Sequence, residues 1–469
     1  MLHVHLTELA CPALTVPGNA SIRTVAARMT EVGSRVALVL DANSSLQGII
    51  TDMDLRSRVL AAGLDSATEI SAIMTPDPLI VSAEQTAAEA LLLMARRNIR
   101  HILVTLPDSR FGVVSVFDLL RQYDYNAAWL VGDIHVAPDV DALARLSQHL
   151  PPALVRMVQY GVAARDIAHS LSLVGQEIVH RLLKLAEARF GSPPIPYAFI
   201  VAGSMGRHEQ TIHTDQDNAM ILDDAFVPQL HDAYFRELAQ FVSDGLAACG
   251  YVYCPGDIMA TNQQWRQPLR VWKEYFAQWV ETPEPQALVN ATIFFDLRCA
   301  YGEESLWCSL RDDLLVRTRA SRLFQTLLAE NAQAFQPPLT FWKGLAAERN
   351  ADDEKVIDLK KRGVVPVIDL ARVYALTHGL PQVNTFERLD ALANHGVLNR
   401  VDVRDLQEAL ESIGSLRLRH QARQVQQGVI PDNALPLASL SSLERRHLRD
   451  ACEVVAGLQQ AMFRRYRAV

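Results

Sequence analysis

At 469 residues the chain exceeds what one ordinary core supports, and a usual domain size of about 100–200 residues predicts three or so domains. Its residues are 49% hydrophobic, enough to bury sizeable cores, while a formal net charge of −8 argues against a general nucleic-acid binder. No apolar run approaches the roughly 20 residues that cross a bilayer, and Met1–Pro12 lacks a basic segment followed by a long apolar stretch. These features lead us to expect a soluble cytoplasmic protein. The six cysteines (Cys11, Cys249, Cys254, Cys299, Cys308, Cys452) contain no Cys-x-x-Cys pair, so neither a zinc knuckle nor a disulfide framework is expected, and they read as buried or idle thiols.

Residues 1–125 hold an internal repeat. The first copy runs from Thr24 through an amphipathic segment, an apolar strand (Val36 to Leu40), a turn at Asn43-Ser44-Ser45 and a second strand into Thr51-Asp52-Met53-Asp54. The second copy repeats that order from Thr86 through His101 to Val104 and Gly112-Val113-Val114 into Ser115-Val116-Phe117-Asp118. Thr51 and Ser115 are 64 positions apart, as are Asp54 and Asp118. This arrangement, with Met74-Thr75-Pro76 opening the second half, resembles a tandem CBS pair of βαββα units. The resemblance implies an adenine nucleotide (AMP, ADP or ATP), with Asp54 and Asp118 receiving ribose hydroxyls and Thr51 and Ser115 touching phosphate. It also implies a homodimer. From the residues alone, a hydroxyl followed three positions later by an acid is equally an ordinary helix cap.

From Asp139 to Ala188 apolar residues recur at spacings of three and four (Ile167, Leu171, Val174, Ile178, Leu182, Leu185), which predicts helix. Gly191-Ser192-Pro193-Pro194 then punctuates the chain. Residues 126–192 are therefore expected as a helical connector, 193–310 as an α/β domain and 311–469 as an all-α domain.

The α/β domain carries the densest chemistry. An apolar run (Tyr197 to Ala202) leads into Gly203-Ser204, a turn that allows close backbone approach to phosphate, and the segment ends in Asp215-Gln216-Asp217. Carboxylates two apart on a strand share a face. Two like charges that close are unfavourable without a cation between them, and Mg²⁺ takes such ligands together with water and substrate phosphates.

The phrase GSMGRHEQTIHTDQDNAMIL resembles the signature of the polymerase-beta-like nucleotidyltransferases. It is most similar to those related to the amino-terminal domain of bacterial PII-protein uridylyltransferases. DLKKRGVVPVIDLARVYAL, NTFERLDAL and LRLRHQ resemble the same family's helical carboxy-terminal domain. The resemblance implies a nucleoside triphosphate substrate, two Mg²⁺ ions, and transfer of a nucleoside monophosphate to a hydroxyl of a protein or small molecule. It also implies a third carboxylate on a neighbouring strand, for which Asp296 in Ile293-Phe294-Phe295-Asp296-Leu297-Arg298 is the candidate. Asp215, Asp217 and Asp296 are thus the expected catalytic and metal-holding residues, with Asp257 a weaker rival; the other reading of Asp296 is a salt bridge to Arg298 or another arginine. Gly203, Ser204, Arg207, Lys360 and Lys361 are the expected triphosphate contacts, with Arg372 beside them; the residues alone equally give Arg207 as a lock on Glu209, and Lys360, Lys361 and Arg372 as a basic helix end near its own dipole. Trp265, Trp272 and Trp279, seven apart, are expected in the core. The alternatives are a catalytically silent nucleotide sensor and a tRNA nucleotidyltransferase, the latter lacking its own signature here.

Overall fold

The computed structural model describes residues 5–97, 99–106, 111–116, 118–119, 127–283, 293–340, 344–350 and 353–467. The chain forms two compact units, Met1–Asn126 and Ala127–Val469. Phe117 and the expected boundary at residue 125 lie outside the described residues.

The first unit has two four-stranded sheets that mirror the sequence repeat. One orders Leu14–Pro17, Val36–Leu40, Leu46–Thr51 and Thr75–Pro76; the other orders Cys11–Pro12, Phe111–Ser115, His101–Thr105 and Ile80–Val81. Each copy contributes an antiparallel pair, Val36–Leu40 with Leu46–Thr51 and His101–Thr105 with Phe111–Ser115. Each sheet buries its own apolar cluster under its own helix, while Val36, Leu38 and Leu103 form a third cluster shared by both copies. A strand too short to bury a face alone finds its partner in its repeat.

In the second unit the central sheet runs Arg266–Pro268, Asn218–Leu222, Tyr197–Val201, Arg298–Gly302. The first pair is parallel and the other two are antiparallel. Every residue of Tyr197–Val201 and Asn218–Leu222 is buried, as an uninterrupted apolar run requires when both sheet faces are covered. Helices Leu269–Glu281 and Glu304–Ala320 pack against these strands, and Ala164–Phe190 packs on Pro228–Ala248. Trp265, Trp272 and Trp279 lie in the core with Phe276, Phe294 and Phe295.

Two expected boundaries differ in the structure. The segment read as a connector consists of helices Ala127–His135, Val140–Ser147, Leu150–Gln159 and Ala164–Phe190, all within the second unit and packed on its other helices. Likewise, among the described residues, the sheet and the helical segment share one apolar core that runs from Ile200 and Ile221 to Leu406 and Met462. Helix Val365–Thr377 is buried around nearly its whole circumference, from Pro366 to Leu376. Such a helix must be surrounded, and Glu304–Ala320, Arg322–Asn331, Thr385–Asn394 and Ser442–Arg467 pack against it. Among the described residues, no helix is long and apolar enough to cross a membrane.

Candidate active site

Strand Tyr197–Val201 delivers the chain to Ala202, after which Gly203 turns in the left-handed region (φ 57°) into one helical turn, Gly203–Gly206. A methyl at Gly203 would stand 2.9 Å from an Asp217 carboxylate oxygen, and one at Gly206 only 2.0 Å from the Asp296 carbonyl oxygen. The turn therefore needs glycine for space at both ends, and for φ at the first. Ser204 Oγ lies 3.2 Å from Thr214 Oγ1, which ties the turn to the start of the acidic segment.

Asp215–Gln216 forms a short parallel pair with Val252–Tyr253, in register Asp215↔Val252 and Gln216↔Tyr253. One residue further on, both chains leave that pair together, which sets Asp217 beside Cys254. The Asp217 carbonyl accepts from the Ala202 amide (2.9 Å), and Asn218 then enters the central sheet opposite Val201. The side chains of Asp215, Asp217 and Cys254 each offer a ligand atom within 4.8 Å of the others. Among the described residues, neither carboxylate has an ion-pair partner within 4.0 Å. Burial, then the neighbouring Asp215 charge, pushes the Asp217 carboxyl up to about 6, against lowering influences from the Cys254 thiol and from Lys360 and Arg207. Burial, then Asp217, pushes the Cys254 thiol up to about 11. Two half-buried acids with converging oxygens, Asp217 being harder to ionise beside the Asp215 charge, fit a divalent cation in donor chemistry.

Asp296 is a correction. Its side chain is 0% exposed and is not one of the converging acids. Arg207 Nη1 donates to it at 2.6 Å, Arg372 Nη2 at 2.5 Å and Nε at 3.0 Å, and Arg388 Nη1 at 2.7 Å. Burial alone would raise this carboxyl, but Arg372, Arg388 and Arg207 outweigh it and hold it far below the usual carboxylate range. Asp369 and Glu209 complete the cluster, Asp369 accepting from Arg372 at 2.5 Å and Glu209 from Arg207 at 2.8 Å. Three guanidinium and three carboxylate groups thus neutralise one another in the interior, which is the condition for burying any of them. Both oxygens of Asp296 are taken, so it serves the fold.

The same cluster takes up Arg207 and Arg372, and of the two readings of Arg207, phosphate contact or lock on Glu209, the structure shows the lock. Both are buried with their charge matched by protein carboxylates. Arg207 and Glu209 also fasten the loop to the helical segment, since Asn384 Nδ2 donates to the Arg207 carbonyl at 2.8 Å and the Thr385 amide to Glu209 at 2.6 Å. Lys360 and Lys361 are exposed, their amides donating to Asp358 Oδ1 at 2.9 and 2.8 Å. The Lys360 charge acts on Asp217. Asp257 is exposed at φ 54°, adopting the glycine-like turn of its position, and stays outside the converging group.

In the first unit the two repeats carry caps with the same hydrogen bonds. Thr51 Oγ1 and amide donate to Asp54 Oδ2 at 2.7 and 2.9 Å; Ser115 Oγ and amide donate to Asp118 Oδ2 at 2.6 and 2.8 Å. Each hydroxyl also receives the amide of its acid, closing a capping box. Arg58 lies 3.3 Å from the other oxygen of Asp54.

Sequence reasoning missed Cys254, Arg388 and Asp369. The cysteine was visible as an isolated thiol after a strand, without a spacing that marks a ligand. Arg388 sat among the helix residues that pack inward in Thr385–Asn394, and an arginine there signals a buried counter-charge.

The profile of the family described as "Putative nucleotidyltransferase DUF294" matches residues 148–286, and that described as "Putative nucleotidyltransferase substrate binding domain" matches residues 322–466. The CBS domain profile matches residues 7–61 and 70–125. Among curated proteins, CBS domain-containing protein CBSCBSPB1 of Arabidopsis thaliana is 38% identical over 110 residues, 23% of this chain and 20% of that protein. Arabinose 5-phosphate isomerase KdsD of Escherichia coli (strain K12) is 36% identical over 107 residues, 23% of this chain and 32% of that protein. The chain thus spans about a fifth to a third of the length of these relatives. Among solved structures, a CBS domain protein from Pyrobaculum aerophilum complexed with AMP shares 25% identity, covering 24% of this chain and 89% of its own, with a TM-score of 0.23. A protein with CBS domains from Burkholderia ambifaria MC40-6 shares 26%, covering 26% and 93%, with a TM-score of 0.24. Downstream of a CBS pair, the chain thus matches in order the profile described as a nucleotidyltransferase and the profile described as its substrate-binding domain.

Proposed function

We propose that the chain moves a nucleoside monophosphate from a nucleoside triphosphate to a hydroxyl of a protein or small molecule, and that an adenine nucleotide at the CBS pair regulates the transfer. The observation that carries this reading is the convergence of Asp215 and Asp217 beside the Gly203 turn, with no ion-pair partner among the described residues. Asp215 and Asp217 would hold Mg²⁺, which supplies charge neutralisation for the triphosphate and the departing pyrophosphate. The chain itself contributes position. Gly203 lets the backbone approach the phosphates, Ser204 offers a hydroxyl there, and Lys360, whose charge reaches Asp217, meets the developing negative charge. The arginine cluster around Asp296 holds the Gly206–Glu209 end of the loop rigid.

A PII-like protein is the first acceptor to test. Incubation with each labelled triphosphate, Mg²⁺ and a cell lysate separates labelled protein, labelled tRNA and neither. Transfer that Asp217→Asn leaves unchanged would remove the site from consideration. A second reading, a nucleotide sensor without transfer, is favoured by one observation: the acid expected third is engaged on both oxygens by arginine.

A further inference from the structure

We propose that Cys254 is the third protein ligand of the cation site, so that this acid pair takes a borderline transition-metal ion such as Co²⁺ or Zn²⁺ in preference to Mg²⁺. The inference rests on the acid-pair reading above and departs from it in the identity of the ion, a softer cation taking the place given there to Mg²⁺. Asp215, Asp217 and Cys254 are the one group of three potential ligands gathered within 4.8 Å among the described residues.

The thiol is placed by the fold. The parallel register that pairs Gln216 with Tyr253 puts Cys254 beside Asp217. The chain is then anchored on both sides of its turn, because the Asp257 amide donates to the Cys254 carbonyl (3.0 Å), Asn218 donates to the Ile258 carbonyl (3.1 Å), and the Ala260 amide donates to Asn218 Oδ1 (2.9 Å). Asn262 Nδ2 fixes Asp257 at 2.9 Å. Asn218 immediately follows Asp217, so the backbone stretch that carries Cys254 and the one that carries Asp217 share this anchor. A donor held in this way loses little freedom when it binds.

The other cysteines differ. Cys11 is exposed, Cys249 and Cys452 are buried, and among the described residues none of the remaining five joins a group of three. Hard Mg²⁺ takes oxygen ligands and gains little from sulfur, whereas thiolate with carboxylates suits Zn²⁺ and Co²⁺. Binding exchanges the S–H bond for a sulfur–metal bond, and the proton leaves to water.

The test uses the full chain, titrated with Co²⁺ and followed by optical absorption, and titrated with Mg²⁺ and Zn²⁺ by calorimetry. The expected result is a thiolate-to-Co²⁺ charge-transfer band that disappears in both Cys254→Ser and Cys254→Ala, with Co²⁺ and Zn²⁺ affinity falling at least about tenfold and Mg²⁺ affinity unchanged. Two variants with native circular dichroism guard against a folding artefact. A wild type without the band, or variants with undiminished Co²⁺ and Zn²⁺ affinity, would overturn the proposal. Asp215→Asn separates the two readings: if it leaves all cation binding intact, the acid pair itself is not a metal site, whereas loss of cation binding there with no effect at Cys254 removes only the thiol.

Discussion

Arg388 Nη1 donates to Asp296 Oδ1 at 2.7 Å across 92 positions of sequence, joining the helical segment to the bend that leads into strand Arg298–Gly302 of the central sheet. The contact is buried on both sides, with side-chain exposures of 1% and 0%. Removing one partner from such a pair leaves an uncompensated charge in the interior. Asp296→Asn should therefore destabilise the second unit by about 3–5 kcal/mol, read as a lower urea midpoint. A loss below 1 kcal/mol would mean that the guanidinium groups find other partners.

Asp217 should behave in the opposite way. Its carboxyl is raised to about 6, so between the ordinary carboxylate range and about 6 the folded chain binds this proton more readily than the unfolded chain. Stability contributed here is present at low pH and is lost as pH rises through that window. Asp217→Asn should remove the slope and leave the variant about 1–2 kcal/mol more stable than wild type at pH 8 without added cation, after allowance for partial solvent screening. Urea unfolding at pH 4.5 and pH 8 checks this, and parallel curves for the two proteins would refute it.

A divalent cation competes with the same proton. Saturating Mg²⁺ or Co²⁺ should raise the wild-type Tm more at pH 8 than at pH 5, because at the lower pH the ion must displace a bound proton. Asp215→Asn should abolish the difference. Equal shifts at both pH values would place the cation elsewhere.

The two glycines of the loop should separate by phenotype. Gly203→Ala forces a left-handed φ on alanine, costing about 1–3 kcal/mol, and pushes on Asp217. Triphosphate binding, measured by calorimetry, should fall in this variant. Gly206→Ala meets a backbone carbonyl at 2.0 Å, which cannot turn aside, so it should have the lower denaturation midpoint of the two.

For the CBS pair, Asp118→Ala and Asp54→Ala should each lose about 1 kcal/mol of stability through the broken capping box. If these acids also receive ribose hydroxyls, adenine nucleotide affinity should fall at least about tenfold. Unchanged affinity in both would leave them as caps alone.

Much of this protein was legible before any coordinates. The repeat of Thr51-x-x-Asp54 at Ser115-x-x-Asp118, the buried runs Tyr197–Val201 and Asn218–Leu222, and the spacing of Gly203, Asp215 and Asp217 are local patterns. Hydrophobic periodicity and turn chemistry act over a few residues, so those patterns are readable one stretch at a time. Which acid meets which cation is different. Asp296 looked like a metal ligand because an acid in an apolar segment needs a positive partner, and that reasoning was right about the need. It could not tell a metal from the guanidinium groups of Arg207, Arg372 and Arg388, which arrive from 76 to 92 positions away and from the loop. Cys254 likewise gained its neighbours only when a parallel strand pair aligned it with Asp217. Charges and thiols act through space over a few ångströms, and the folded chain alone sets those distances.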